Sequence, residues 1–199
     1  MITTKSPANQ KTDDNRQSHR FIFDVSALYE AIGGERAGQA CVFTTLVLCD
    51  ALAQLGFPAR PVAAAVEGRR GRVRFGIGHP GYQLRRPNAW KGHLVCMIGD
   101  LLIDPTIGQV ARHGVDAPPL ITVRSQRPLV PDARIALPDG WTLSWQAEGA
   151  NNGWRTLRDA DPAVREPAVW RLVQRLRPTA PATGGPLSTL TGPPPSAGP

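Results

Sequence analysis

The sequence is poor in cysteine, and its three thiols, Cys41, Cys49 and Cys96, form no CxxC pair. An odd number of thiols without that spacing argues against a disulfide framework and suits a reducing compartment. Spacing and the expected strand and helix faces also argue against a zinc site built from these cysteines and His93. The sequence therefore predicts neither a metal nor another cofactor.

Long apolar runs are missing as well. No stretch approaches the ~18 consecutive apolar residues that a transmembrane helix needs, and the N-terminal segment has no apolar signal core. We therefore expect no contact with a membrane and a cytoplasmic location.

Lysine is scarce: it accounts for three of the 23 basic residues, so arginine carries almost all of the net charge of +7. A GC-rich genome produces the same bias, and neither interleaved aromatic residues nor a helix-turn-helix pattern accompanies it. Nucleic acid is therefore not the expected partner. One arginine cluster is a candidate site for an acidic ligand, and its members are Arg69, Arg70, Arg72, Arg74, Arg85 and Arg86.

Both ends of the chain lack the composition of a packed core. Residues 1–20 are polar without a pattern, and residues 178–199 are rich in proline, glycine, serine and threonine. Both segments are predicted to be disordered tails. Residues 21–177 are long enough to bury one core and contain no repeat, which predicts one domain.

Apolar spacing and turn residues predict the elements of this domain. A short helix over residues 23–34 precedes a helix over 41–55 that is apolar on nearly every side and therefore central and buried. A last helix follows Asp161 as its N-cap, with Trp170 on its apolar face. Strands are predicted at 60–68, 71–78, 93–98, 101–106, 119–125, 133–137, 140–149 and 153–157. This order of helices, antiparallel sheet and helix indicates an α+β fold.

The stretch KGHLVCMIGDLLIDPTIGQ, residues 91–109, predicts a contact between two polar side chains. Gly99-Asp100 between two apolar runs is typical of a type II′ hairpin turn, which makes Val95 the partner of Asp104. Side chains alternate along a strand, so His93 shares a face with Asp104 as its diagonal neighbour. The sequence therefore predicts a hydrogen bond between this imidazole and this carboxylate.

Cys41 opens the predicted central helix, where unpaired N–H groups and the helix dipole favour a thiolate. Cys49 is expected in mid-helix and Cys96 on the strand face opposite His93, so both are expected to be inert. A thiolate at Cys41, a base at His93 and an orienting carboxylate at Asp104 make up the three parts of an acyl-transfer triad.

Two blocks of the sequence resemble one protein family. CVFTTLVLCDALAQLGFPAR is similar to the core motif of the transglutaminase-like cysteine superfamily, in which a nucleophilic cysteine begins a helix that ends in Gly-[Ile/Phe]-Pro-[Ala/Thr]-Arg. GHLVCMIGDLLIDPTIGQ is similar to the family's histidine strand and the Asp-Pro-Thr end of the next strand. Together the blocks lie within residues 38–109.

The resemblance implies a papain-like fold in which the Cys-bearing helix packs on the sheet. It implies Cys41 as nucleophile, His93 as general base and then acid, and Asp104 as the residue that orients the base. The implied activity is acyl transfer from an amide through a Cys thioester, either to water, as in a peptidase or amidase, or to an amine. The Cys41 N–H is one expected oxyanion donor, and Gln39 and the Trp90 indole are candidates for the second.

The expected substrate is a peptide, a protein or a small amide. Calcium-dependent crosslinking is not expected, because no acidic cluster of the calcium-binding type is visible. One alternative is an arylamine-type N-acetyltransferase, although residues 36–40 lack its Arg-Gly-Gly approach to the cysteine. Another is a catalytically silent fold that serves as a binding or scaffold module, with the arginine cluster as its contact surface.

Overall fold

A computed structural model describes residues 25–32, 41–78, 90, 92–148 and 152–177. Both predicted tails and Gln39, Arg85 and Arg86 lie outside the described residues. The α-helices within them are α1 (Val25–Ile32), α2 (Cys41–Gln54) and α3 (Pro162–Leu176). The strands are β1 (Arg60–Arg70), β2 (Val73–Ile77), β3 (His93–Ile98), β4 (Leu101–Asp104), β5 (Ile121–Arg124), β6 (Asp132–Ala136) and β7 (Thr142–Ala147). Short 3₁₀ helices span Ile107–His113, Gly153–Thr156 and Arg158–Ala160.

These strands form one antiparallel sheet in the order β5-β4-β3-β1-β7-β6, with β2 also paired to β1. β3 pairs with the first half of β1 and β2 with the second half, while β7 pairs with the other edge. The end strands β5 and β6 approach each other where the Gln126 N–H donates to the Asp132 carbonyl. The sheet therefore nearly closes into a barrel, whose apolar interior includes Met97, Trp141 and Trp145.

α2 is buried on nearly every side, as the sequence predicts. Leu94 and Cys96 of β3 face the helical side of the sheet, where they pack with residues of α2. Thr45 Oγ1 donates to the Leu94 carbonyl at 2.9 Å. Since both groups are buried, this hydrogen bond fixes α2 against β3 one residue beyond His93.

α3 closes the helical layer over α1 and α2. Its N-cap is Asp161, whose side chain accepts from the Ala163 N–H, as the sequence predicts. Arg165 is buried and reaches α2, where its Nη2 lies 2.7 Å from Asp50 Oδ2. An ion pair between a buried arginine and a partly exposed aspartate therefore joins α3 to α2, in addition to apolar packing.

The predicted register of the β3–β4 hairpin is confirmed. Ile98 pairs with Leu101, and Cys96 pairs with Ile103. The predicted strand over 101–106 is too long, because β4 ends at Asp104. Oδ1 of this residue accepts the Thr106 N–H at 3.1 Å, so the side chain itself turns the backbone out of the sheet.

Two predictions near the C-terminus are wrong. Residues 153–157 form no strand: Trp154 instead lies in a 3₁₀ helix and packs on Val42, Leu46 and Leu94, while the Leu157 N–H is satisfied locally by the Trp154 carbonyl. Trp170 does not belong to the buried face of α3, since 62% of it is exposed. Helical spacing alone places Trp170 near that face, but α1 and α2 cover only the strip centred on Leu172.

The molecule thus combines a few helices with an antiparallel sheet, which confirms the mixed α+β class. No helix in the described ranges has the length and apolar character needed to cross a membrane.

Candidate active site

Asp104 is fully buried and has a hydrogen-bond partner on each carboxylate oxygen. Oδ1 accepts the Thr106 N–H, and Oδ2 accepts the Trp145 indole N–H at 2.8 Å. Oδ2 also lies 2.7 Å from His93 Nε2. A buried carboxylate needs such donors, because burial without them strongly disfavours the charged form.

His93 is the first residue of β3, and its ring is fully buried. Because Asp104 presents an acceptor oxygen to Nε2, that nitrogen carries a proton. Nδ1 is thereby left as the nitrogen that exchanges protons with a reactant. The predicted His93–Asp104 hydrogen bond is confirmed, on the face that the hairpin register requires.

The charge of His93 reflects opposing effects. Burial lowers the pKa of the imidazole, whereas the charge and hydrogen bond of Asp104, followed by the hydrogen bond and charge of Cys41, raise it. Together these effects raise the pKa of His93 from 6.5 to about 10. At neutral pH the ring is therefore an imidazolium, which is the counter-ion that a thiolate requires.

Cys41 is the first residue of α2 and is half-buried. Its side chain interacts with the His93 ring and packs beside the apolar cluster that includes Val42 and Leu94. α2 packs on the face of β3 opposite the His93 side chain. Cys41 nevertheless reaches the His93 ring, because Cys41 is the first residue of α2 and His93 is the first residue of β3. Cys41 thus interacts with the His93 imidazole, which in turn pairs with the Asp104 carboxylate, and Cys41 is the partly exposed member of the three.

The other two thiols differ from Cys41 in being buried in the core between α2 and the sheet. Cys49 and Cys96 lie side by side, and burial, together with the neighbouring Cys96, raises the pKa of the Cys49 thiol well above its ordinary value. Thiols of that kind react slowly.

Sequence reasoning missed three residues that contact the His93–Asp104 pair: Thr106, Gln109 and Trp145. Gln109 Nε2 lies 3.1 Å from His93 Nδ1. Thr106 and Gln109 lie in the segment DPTIGQ, which begins at Asp104. Their closeness to Asp104 in sequence could therefore have indicated that they contact the pair. Trp145 lies in the predicted strand over 140–149, and nothing local connects that strand with Asp104.

The structure also describes Trp90 and four of the predicted arginines. Trp90 is half-buried, lies against Gly92 and packs on the same cluster as Cys41. Four arginines of the predicted cluster are exposed at the tip of the β1–β2 hairpin, and they are Arg69, Arg70, Arg72 and Arg74. In the described part of the chain, no group of three His, Cys, Asp or Glu residues is arranged to hold a metal.

No protein-family model matches the chain. No curated protein matches it either. Among solved structures, a crystal structure described as genomics APC5867 is similar to it, with a TM-score of 0.48 and 15% sequence identity over 82% of this chain and 80% of that chain. A likeness of this degree carries no argument about function.

Proposed function

We propose that this protein is a thiol-dependent acyl-transfer enzyme with a transglutaminase-like fold, which cleaves an amide through a thioester on Cys41. The observation that carries the proposal is the contact of Cys41, at the start of α2, with a buried His93 that is paired with Asp104. A nucleophile, a proton carrier and a group that orients the carrier are the parts that this chemistry needs.

In the first step the Cys41 thiolate attacks the carbonyl carbon of the amide. A C–S bond forms, and the carbonyl π electrons move to the oxygen, where the Cys41 N–H at the start of α2 stabilises the negative charge. The oxyanion then collapses, the C–N bond breaks, and His93 Nδ1 gives its proton to the leaving amine. Cys41 is left acylated and His93 neutral.

In the second step, neutral His93 Nδ1 takes a proton from water or from an acceptor amine as it attacks the thioester. The C–S bond breaks, and the thiolate and the imidazolium are restored. Asp104 keeps Nε2 protonated throughout and stabilises the charged ring. Water as acceptor makes the protein a peptidase or amidase, and an amine makes it a transferase.

The test is to trap the acyl-enzyme. Wild-type protein is mixed with a panel of activated acyl donors that includes p-nitrophenyl esters, peptide thioesters and acetyl-CoA, and the adduct is located by intact mass and peptide mapping. The proposal predicts one acyl group on Cys41, and its loss in the Cys41→Ala variant. The acyl group that accumulates identifies the donor class, and acetyl-CoA as the only donor would favour an N-acetyltransferase.

The alternative of a silent binding module is supported by the exposed hairpin arginines, which form no ion pair with a carboxylate of the described residues. Such a surface attracts acidic ligands, although attraction at the surface does not require a reactive thiol. Equal and slow reaction of all three cysteines with every donor would favour this alternative.

A further inference from the structure

The second oxyanion donor is the part that the proposed chemistry still requires. Gln109 lies in the 3₁₀ helix Ile107–His113, which begins three residues after Asp104. Its amide nitrogen is 3.1 Å from His93 Nδ1. Asp104 Oδ2 lies at Nε2, so the Gln109 amide lies at the other ring nitrogen, which is the one left to exchange a proton with a reactant.

The partner of the Gln109 amide changes with the charge of the ring. A neutral His93 offers a lone pair at Nδ1, which accepts one Gln109 N–H. An imidazolium carries a proton at Nδ1, so that nitrogen no longer accepts, and a Gln109 N–H can donate to another acceptor within reach. The ring is charged when the Cys41 thiolate attacks, and this is when an acceptor oxygen develops beside the sulfur.

We propose that Gln109 is the second oxyanion donor, acting with the Cys41 N–H. This inference rests on the proposed acyl-transfer function. During attack, one Gln109 N–H donates to the oxygen that receives the carbonyl π electrons. After the oxyanion collapses and His93 gives its proton to the leaving group, the neutral Nδ1 can accept the Gln109 N–H. Gln109 thus takes the role that Gln39 and Trp90 were predicted to fill.

Two reagents separate this role from a structural one. p-Nitrophenyl acetate acylates the thiolate through a tetrahedral oxyanion and releases p-nitrophenolate. Iodoacetamide alkylates the same thiolate by displacing iodide from a saturated carbon, and no oxyanion forms. Both reactions need the thiolate paired with His93, but only acylation needs an oxyanion donor.

The Gln109→Ala variant is expected to lose about 10²–10³-fold in the acylation burst rate, the usual effect of removing one oxyanion donor. Its iodoacetamide rate is expected to stay within a few-fold of wild type. Gln109→Glu keeps the shape but not the donor, and is expected to behave like the alanine variant. The matched control is Gln126→Ala. Gln126 is exposed and follows β5, away from the 3₁₀ helix that carries Gln109, so its substitution should change neither rate.

Each other outcome overturns the inference in a recognisable way. Parallel losses in both reactions would make Gln109 a residue that only supports the thiolate–imidazolium pair. An unchanged acylation rate in both Gln109 variants, with an acylation-specific loss in Trp90→Phe, would assign the donor to Trp90. If wild-type protein shows no burst from Cys41 at all, the proposed function fails first, and the role of Gln109 falls with it.

Discussion

At the scale of single residues, the ring of His93 has different neighbours at its two nitrogens. Nε2 faces the Asp104 carboxylate, which also accepts the Trp145 indole N–H, and Nδ1 faces the Gln109 amide. Burial lowers the pKa of the ring, but the charges and hydrogen bonds of Asp104 and Cys41 outweigh burial, so the ring is charged at neutral pH. A substitution of any of these neighbours is therefore expected to change the reactivity of the Cys41 thiol as well.

Trp145→Phe tests how far Asp104 depends on the indole. The substitution removes the N–H that donates to Oδ2, and loss of a hydrogen bond to a charged group lowers the free energy of unfolding by about 1.5–3 kcal/mol. We expect this loss in urea denaturation, together with slower alkylation of Cys41.

Trp141→Phe is the matched control for that variant. Trp141 is equally buried inside the barrel, and its indole N–H has no hydrogen-bond partner among the described residues. The same change in volume should therefore lower stability less and leave Cys41 alkylation unchanged. Equal effects of the two substitutions on alkylation would contradict a specific role for the Trp145 N–H.

The residues of the site differ in how far the sequence could predict them. His93 and Asp104 are joined by a two-residue turn, so strand alternation was enough to pair them. Trp145 stands 41 residues from Asp104 and on a strand that does not pair with β4, and no local pattern reports such a contact. Gln109 was missed because the 3₁₀ helix that carries it has no distinctive periodicity.

At the scale of elements, the end of β2 and the start of β3 meet at Gly78, beside the middle of β1. Its φ is +70°, and a Cβ there would lie 2.6 Å from the His93 nitrogen and 2.8 Å from the Ala64 oxygen. Both atoms belong to the backbone of the paired strands β1 and β3, so neither can move aside as the end of a flexible side chain could. The close approach of β2 to the start of β3 therefore requires glycine.

Gly78→Ala is expected to destabilise the protein and to slow Cys41 alkylation, because β1 and β3 must separate where His93 begins its strand. Gly99→Ala is the control: its φ is +58°, but a Cβ there meets nothing within 4 Å. Positive φ alone costs roughly 1–2 kcal/mol for alanine. Urea denaturation should show a lower free energy of unfolding in both variants, with the larger decrease in Gly78→Ala. Only Gly78→Ala should also alkylate more slowly at Cys41.

Elements with strong local patterns were predicted well, and those set by distant contacts were not. The run of apolar residues predicted α2 closely, and Asp161 marked the start of α3. The segment around Trp154 has the composition of a strand. The Trp154 ring packs on α2 instead, and the segment forms a 3₁₀ helix. Trp170 is exposed because the helical layer is narrower than the apolar stripe of α3.

At the scale of the whole molecule, the site exists only in the assembled fold. Cys41, His93 and Asp104 come from three elements, and Trp145 from a fourth on the far side of β1. The sequence predicted the mixed α+β class, but the order of the strands depends on pairings such as β1 with β7, which have no local indication. The near closure of the sheet follows from those pairings and buries the Asp104 partners.

The most direct test of the central claim, that Cys41 and His93 form a thiolate–imidazolium pair, is the pH profile of Cys41 alkylation by iodoacetamide. A pKa of about 10 keeps His93 charged across the neutral range, and the proton leaves only as the pH rises through that value. The charged ring stabilises a thiolate beside it, so the wild-type rate around pH 6–7 should exceed the rate of the His93→Ala variant. In His93→Ala it should fall about tenfold per pH unit below ~8, as for a free thiol. Superimposable profiles for the two proteins, or Cys49 and Cys96 reacting as fast as Cys41, would contradict the account.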